Sequence, residues 1–111
     1  MSTFYGGPQL VTVTSLYRTT NGTSSYTVPA GHWAEVTFNV AAKNASFSAC
    51  AAGGGVDSVS VCTVVSTSSD WSLATNSAIV TSGRVISAST SQGPFNVDAI
   101  AYVGIKVYKN P

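Results

Sequence analysis

The side chains able to do acid–base or nucleophilic chemistry in this 111-residue chain are few: His32, the carboxylates Glu35, Asp57, Asp70 and Asp98, and the thiols Cys50 and Cys62. A glycosidase needs two carboxylates about 5–10 Å apart across a sugar cleft, and nothing in the spacing of these four makes any two converge. His32 follows the corner Pro29-Ala30-Gly31 and precedes Trp33. It reads as a surface or stacking residue, not a base. Asp57 and Asp70 stand beside turns, where Asp usually accepts hydrogen bonds from backbone donors. Cys50 and Cys62 sit among small and apolar neighbours, so they read as packing residues without a base to activate them. Two Cys twelve positions apart and one distant His form no zinc pattern. No segment carries the closely spaced acids a calcium loop needs. Gly53-Gly54-Gly55 lacks the Lys and the strand-to-helix setting of a phosphate loop, and reads as a flexible connection. The expectation is no catalytic residue, no metal, no cofactor and no enzymatic activity.

Composition points the same way. Charged residues make up 8% of the chain, against about 25% in ordinary globular proteins. Ser and Thr fill roughly a quarter of the positions, as suits short strands in two-layer β proteins. So few charges give weak repulsion between copies, and much of the surface is expected to lie against partners. Arg18, Lys43, Arg84, Lys106 and Lys109 are scattered singly and read as isolated solvent-facing charges. Without a basic cluster there is no case for nucleic acid. No stretch approaches the roughly 20 apolar residues of a membrane helix. The start of the chain shows no basic flank or apolar run, so folding in the cytoplasm is expected and a disulfide is not.

The aromatic residues carry the more specific signal. Trp33, Trp71, Tyr5, Tyr17, Tyr26, Tyr102 and Tyr108 fall largely at outward positions, and such side chains anchor interfaces or sugar platforms. Phe4, Tyr5, Trp33, Trp71, Tyr102 and Tyr108 are the interface candidates. Trp33 is core if its strand is covered on both sides and an anchor if it is not.

The elements that must position these groups are strands. Helical periodicity is absent and period-two alternation recurs. Residues 1–9 read as an irregular N-terminal arm, broken by Gly6-Gly7-Pro8, and residues 10–111 as one domain. Strands are expected over 10–17, 24–28, 32–42, 45–51 with Phe47 inward, 56–65, a short piece from Trp71, a further segment at 78–80, 84–90, and 96–109. Asn21-Gly22 and Pro29-Ala30-Gly31 are the sharpest turn signals. In the last strand Val97, Ala99, Ala101, Val103, Ile105 and Val107 share one face while Ile100, Tyr102 and Tyr108 share the other. Both faces are therefore expected to be covered, one by the core and one by a partner. Gly104 is a candidate bulge. About eight short strands with turns at regular spacing predict an antiparallel two-sheet sandwich, jelly-roll-like, with no substantial helix.

The segment Ser25-Tyr26-Thr27-Val28-Pro29-Ala30-Gly31, leading into the alternating strand that ends near Val40, resembles small β-sandwich virion proteins of tailed bacteriophages. So does the later stretch Gly83-Arg84-Val85-Ile86-Ser87-Ala88 before a Val-rich final strand, with Arg84 at a position often acidic in such proteins. The resemblance covers roughly residues 25–108. It implies a capsid decoration (cement), head-fibre or tail-fibre protein without catalytic residues, often trimeric. On this resemblance the expected partners are further copies of the chain, as a homotrimer, and a major capsid protein that it clamps at the outer surface of the virion. The alternative is a fibre or tail module whose Trp and Tyr side chains read a host glycan or surface protein.

Overall fold

A computed structural model describes residues 9–43, 50–66, 69–91 and 98–111 of the chain. It contains eight strands: β1 Gln9–Arg18, β2 Gly22–Thr27, β3 His32–Ala42, β4 Cys50–Val56, β5 Val59–Ser66, β6 Ser72–Val80, β7 Val85–Ser91 and β8 Ala99–Lys109. They form two four-stranded antiparallel sheets. Sheet A has the order β1-β8-β3-β6 and sheet B the order β2-β7-β4-β5. First pairs with last, second with seventh, third with sixth and fourth with fifth. The chain is thus one long antiparallel ribbon folded so that alternate ribbon segments land in opposite sheets. The pairs β3–β8 and β4–β7 stitch those segments together. This is the jelly-roll arrangement expected from the strand count.

Alternation builds the core. On β3, Ala34, Val36, Phe38, Val40 and Ala42 are buried, and on β8 so are Ala99, Ala101, Val103, Ile105 and Val107. Sheet B answers with Ala52, Cys62, Ile86 and Ala88. The predicted corner forms as a tight turn. His32 N–H donates to Pro29 O at 3.2 Å, and Gly31 sits at φ +77°, the left-handed position that a type II turn reserves for glycine.

Several expectations need correction. Gly53-Gly54-Gly55 is not a connection but the middle of β4, an inner strand of sheet B. A Cβ on Gly54 would lie 2.6 Å from the Phe38 ring, and one on Gly55 would strike the carbonyl of Val59. The glycines are close-approach positions in a sheet, not hinge positions. The strand expected over 56–65 is interrupted at its start by Asp57 and Ser58, both at positive φ (52° and 67°). They form a two-residue hairpin turn between β4 and β5, with the twist that type I′ turns provide. The two short pieces expected around Trp71 and Val80 are one continuous strand, β6. Gly104 is regularly paired; the register shifts fall between Leu10 and Thr12 and between Gly54 and Gly55. Tyr26, expected outward, pairs with buried Ile86 and packs against the core.

Three charges, Arg18, Lys43 and Arg84, are also not the isolated surface groups expected, and Arg84 Nε lies 3.9 Å from Asp57 Oδ2. Arg18 folds back on the β1–β2 connection, donating from Nη2 to Asn21 O at 2.7 Å and from Nη1 to Ser24 Oγ at 3.3 Å. Lys43 pairs with buried Asp98 at 3.9 Å. The arm expected over 1–9 gives up Gln9 to β1. Residues 1–8, with Phe4 and Tyr5, lie outside the described residues, as do Phe47 and Val97.

Candidate functional site

The groups with chemical potential each have a local structural role. His32 Nδ1 is 2.9 Å from Ala30 O within its own corner. Asp57 Oδ1 accepts from Val85 N–H at 2.9 Å, and its other oxygen is 3.9 Å from Arg84 Nε. This is the backbone-satisfying role expected of a turn Asp. Cys50 stands opposite Ser66 and Cys62 opposite Gly54. That separates the two by four positions along the ladder, about 13 Å, too far for a disulfide. Neither forms a disulfide and both are buried, and burial raises the Cys62 thiol above its usual range. Among the described residues, no three His, Cys, Asp or Glu side chains come together as metal ligands.

The outer faces of the two sheets are chemically unlike. Sheet B turns outward Thr23 and Ser25 from β2, Ser87 and Ser89 from β7, and Ser60 and Thr63 from β5. Between them the side-chain-free Gly53 and Gly55 floor a shallow trough of about 350 Å³. Ser60 Oγ and Thr63 Oγ1 hydrogen-bond each other at its edge. That face is mostly hydroxylated, with Val65 exposed on it.

Sheet A turns outward a face that mixes apolar and aromatic side chains with charged and hydroxylated ones. Its registers order the outward residues into rows that run β1, β8, β3, β6. The top row holds Leu10, Tyr108 and Trp33. Below it lie Val13, Lys106, Glu35 and Ile79, then Ser15, Gly104, Thr37 and Ser77, then Tyr17, Tyr102, Asn39 and Thr75. Ile100, Ala41 and Leu73 follow. Six large hydrophobics on this face are exposed: Leu10, Val13, Tyr17, Leu73, Ile79 and Tyr102, with Leu73 at 77%. They fall in two groups, Leu10, Val13 and Tyr17 with Tyr102 on the β1 side and Ile79 and Leu73 on β6, with Lys106, Glu35, Thr37 and Asn39 between them. So many exposed apolar side chains on one face mark an interaction surface.

Of the candidates read from the sequence, Trp33 and Tyr108 come together as a stacked pair, centroids 4.5 Å apart and planes 20° apart. Trp33 is half-buried and on the outer face, so it is not part of the core. Tyr102 lies on the same face farther along β8 and meets Tyr17 edge-on at 6.4 Å. Trp71 precedes β6 and is exposed, with Lys43 Nζ 5.2 Å from its ring centroid, a cation–π distance. At this end of the face a depression of about 390 Å³ opens between Asn39, Ala41, Leu73, Thr75, Ile100 and Tyr102. Leu73 and Ile79 were missed as surface candidates. Their shared parity shows only once 72–80 is taken as one strand.

Compared with family models, with curated proteins and with solved structures, the chain matches none.

Proposed function

We propose that this protein is a non-enzymatic assembly module of a tailed-bacteriophage virion, a capsid decoration protein that docks through the outer face of sheet A. The observation that carries the reading is the contrast between the two outer faces. One is mostly hydroxylated, with Val65 exposed on it, and the other exposes Leu10, Val13, Tyr17, Leu73, Ile79 and Tyr102, five of them on the edge strands β1 and β6. The sequence resemblance supplies the virion setting, and the jelly roll supplies a rigid plate to present the face. Burying the exposed part of such side chains stabilises contact by about 25 cal/mol per Å² of apolar surface. That is the driving force a cementing part needs. The test is imaging of the parent particle together with solution mass of the purified chain. Jelly-roll density on the outer shell, with sheet A against a neighbour, is the expected result. A solitary monomer absent from the particle overturns the reading.

A second reading rests on the aromatic groups themselves. Tyr17, Tyr102 and Trp71 present exposed rings on or beside one face, and such rings stack on sugars. A fibre module recognising a host glycan would then bind on a glycan array without affinity for the capsid.

A further inference from the structure

We propose that the occupant of the sheet A face is a second copy of this chain, packed face to face about a two-fold axis along the seam between β8 and β3. This rests on the reading of that face as the docking surface and names its partner.

The strand order β1-β8-β3-β6 places the seam at the middle of the sheet. A two-fold along it exchanges β8 with β3 and β1 with β6, row by row, and keeps each row at its own height. The charged row reads Val13, Lys106, Glu35, Ile79. Under the exchange Lys106 of one copy lies over Glu35 of the other, and Val13 over Ile79. A row of apolar, positive, negative, apolar is its own complement under that operation, as an isologous interface requires. The neighbouring rows bring no charge into the contact, and Leu10 and Leu73, which have no residue opposite them in their rows, lie at its corners. Gly104 meets Thr37 and Ser15 meets Ser77, leaving room for close approach at the centre. Tyr102 meets Asn39, Ile100 meets Ala41, and Tyr108 meets Trp33. No row sets like charges against each other, and a net charge of +1 per chain adds little repulsion between copies.

The area is sufficient. Four strands about 4.8 Å apart and rows spanning about 30 Å give a plate of about 600 Å² per copy. About 1,200 Å² in all meets the lower bound for a stable specific interface. Two twisted sheets of this kind pack aligned at about −30°, which an axis along the strands permits. The charge row favours this two-fold over the trimer implied by the resemblance.

The test is sedimentation equilibrium of the full chain as wild type, Lys106→Glu, Glu35→Lys and the double exchange, with thermal unfolding of each variant as a folding control. A wild-type dimer is expected. Each single change sets two pairs of like charges across the axis and should weaken the dimer at least tenfold, while the double exchange restores it. A trimer, or a dimer indifferent to the charge reversals, overturns the two-fold. If the wild type is monomeric, incorporation of a Leu73→Ser/Ile79→Ser variant into particles separates the two claims. Loss of incorporation overturns the two-fold and leaves the docking face standing; retained incorporation overturns both.

Discussion

The ring of Phe38 in β3 packs against the bare backbone of Gly54 in β4, so that a Cβ there would stand 2.6 Å from ring Cδ2 and 2.8 Å from Ser87 O. This contact joins the two sheets at their centre and sets how closely they approach. Phe38 is the largest side chain in the core and is fully buried. Gly54→Ala should therefore cost about 2–3 kcal/mol through overpacking. Urea unfolding of Gly54→Ala, Phe38→Leu and the double variant would read it. The double variant should be more stable than the sum of the two singles predicts, because Leu vacates part of the space the methyl needs. Strict additivity would mean the two residues do not share that space.

The β4–β5 turn offers the opposite change. Ser58 holds φ at 67°, a conformation costing a residue with a Cβ about 1–2 kcal/mol. Ser58→Gly removes that strain and restores some unfolded-chain entropy. A net gain of about 0.5–1 kcal/mol is expected, seen as a higher melting temperature. Asp57→Ala in the same turn should lose about 1 kcal/mol, because Val85 N–H forfeits its 2.9 Å acceptor.

Lys43 is the ion-pair partner of a buried carboxylate. Its ammonium is 3.9 Å from Asp98 Oδ1, with side-chain exposures of 33% and 5%, and it also lies over the Trp71 ring. Lys43→Met keeps the stem and removes the charge. The expected loss is about 1–3 kcal/mol, between the value of an exposed pair and that of a buried one. Lys43→Arg should recover most of it, measured as the urea midpoint.

The Cys62 thiol gives a pH dependence with a definite sign. Burial disfavours its thiolate, so its folded pKa lies above the unfolded value. The unfolded chain then releases this proton first as pH rises. The contribution to stability is complete below the ordinary thiol range and is lost as pH climbs from there toward the raised value. Stability of the wild type should fall more steeply in that alkaline window than that of Cys62→Ala. Both thiols should label slowly in the native state and rapidly in urea, since both are buried.

Alternation along β3 and β8 was legible residue by residue, because in a strand the side-chain period is two whatever the strand pairs with. From it followed the core faces, the sandwich, and the outward placing of Trp33, Tyr102 and Tyr108. The corner at Pro29 and Gly31 was equally legible, since it depends on the φ preferences of two adjacent residues. Those properties are local. The role of Gly53-Gly54-Gly55 was not, because glycine has no side chain to declare a face. Only the arrival of Phe38 from the other sheet and of Val59 from the neighbouring strand makes those positions demand it. Nor did composition alone order the outward residues of four strands into rows. Register across β1-β8-β3-β6 did that, bringing Val13, Lys106, Glu35 and Ile79 side by side from positions up to 93 apart in the chain. Local patterning decided which way each side chain points; long-range pairing decided what stands next to it.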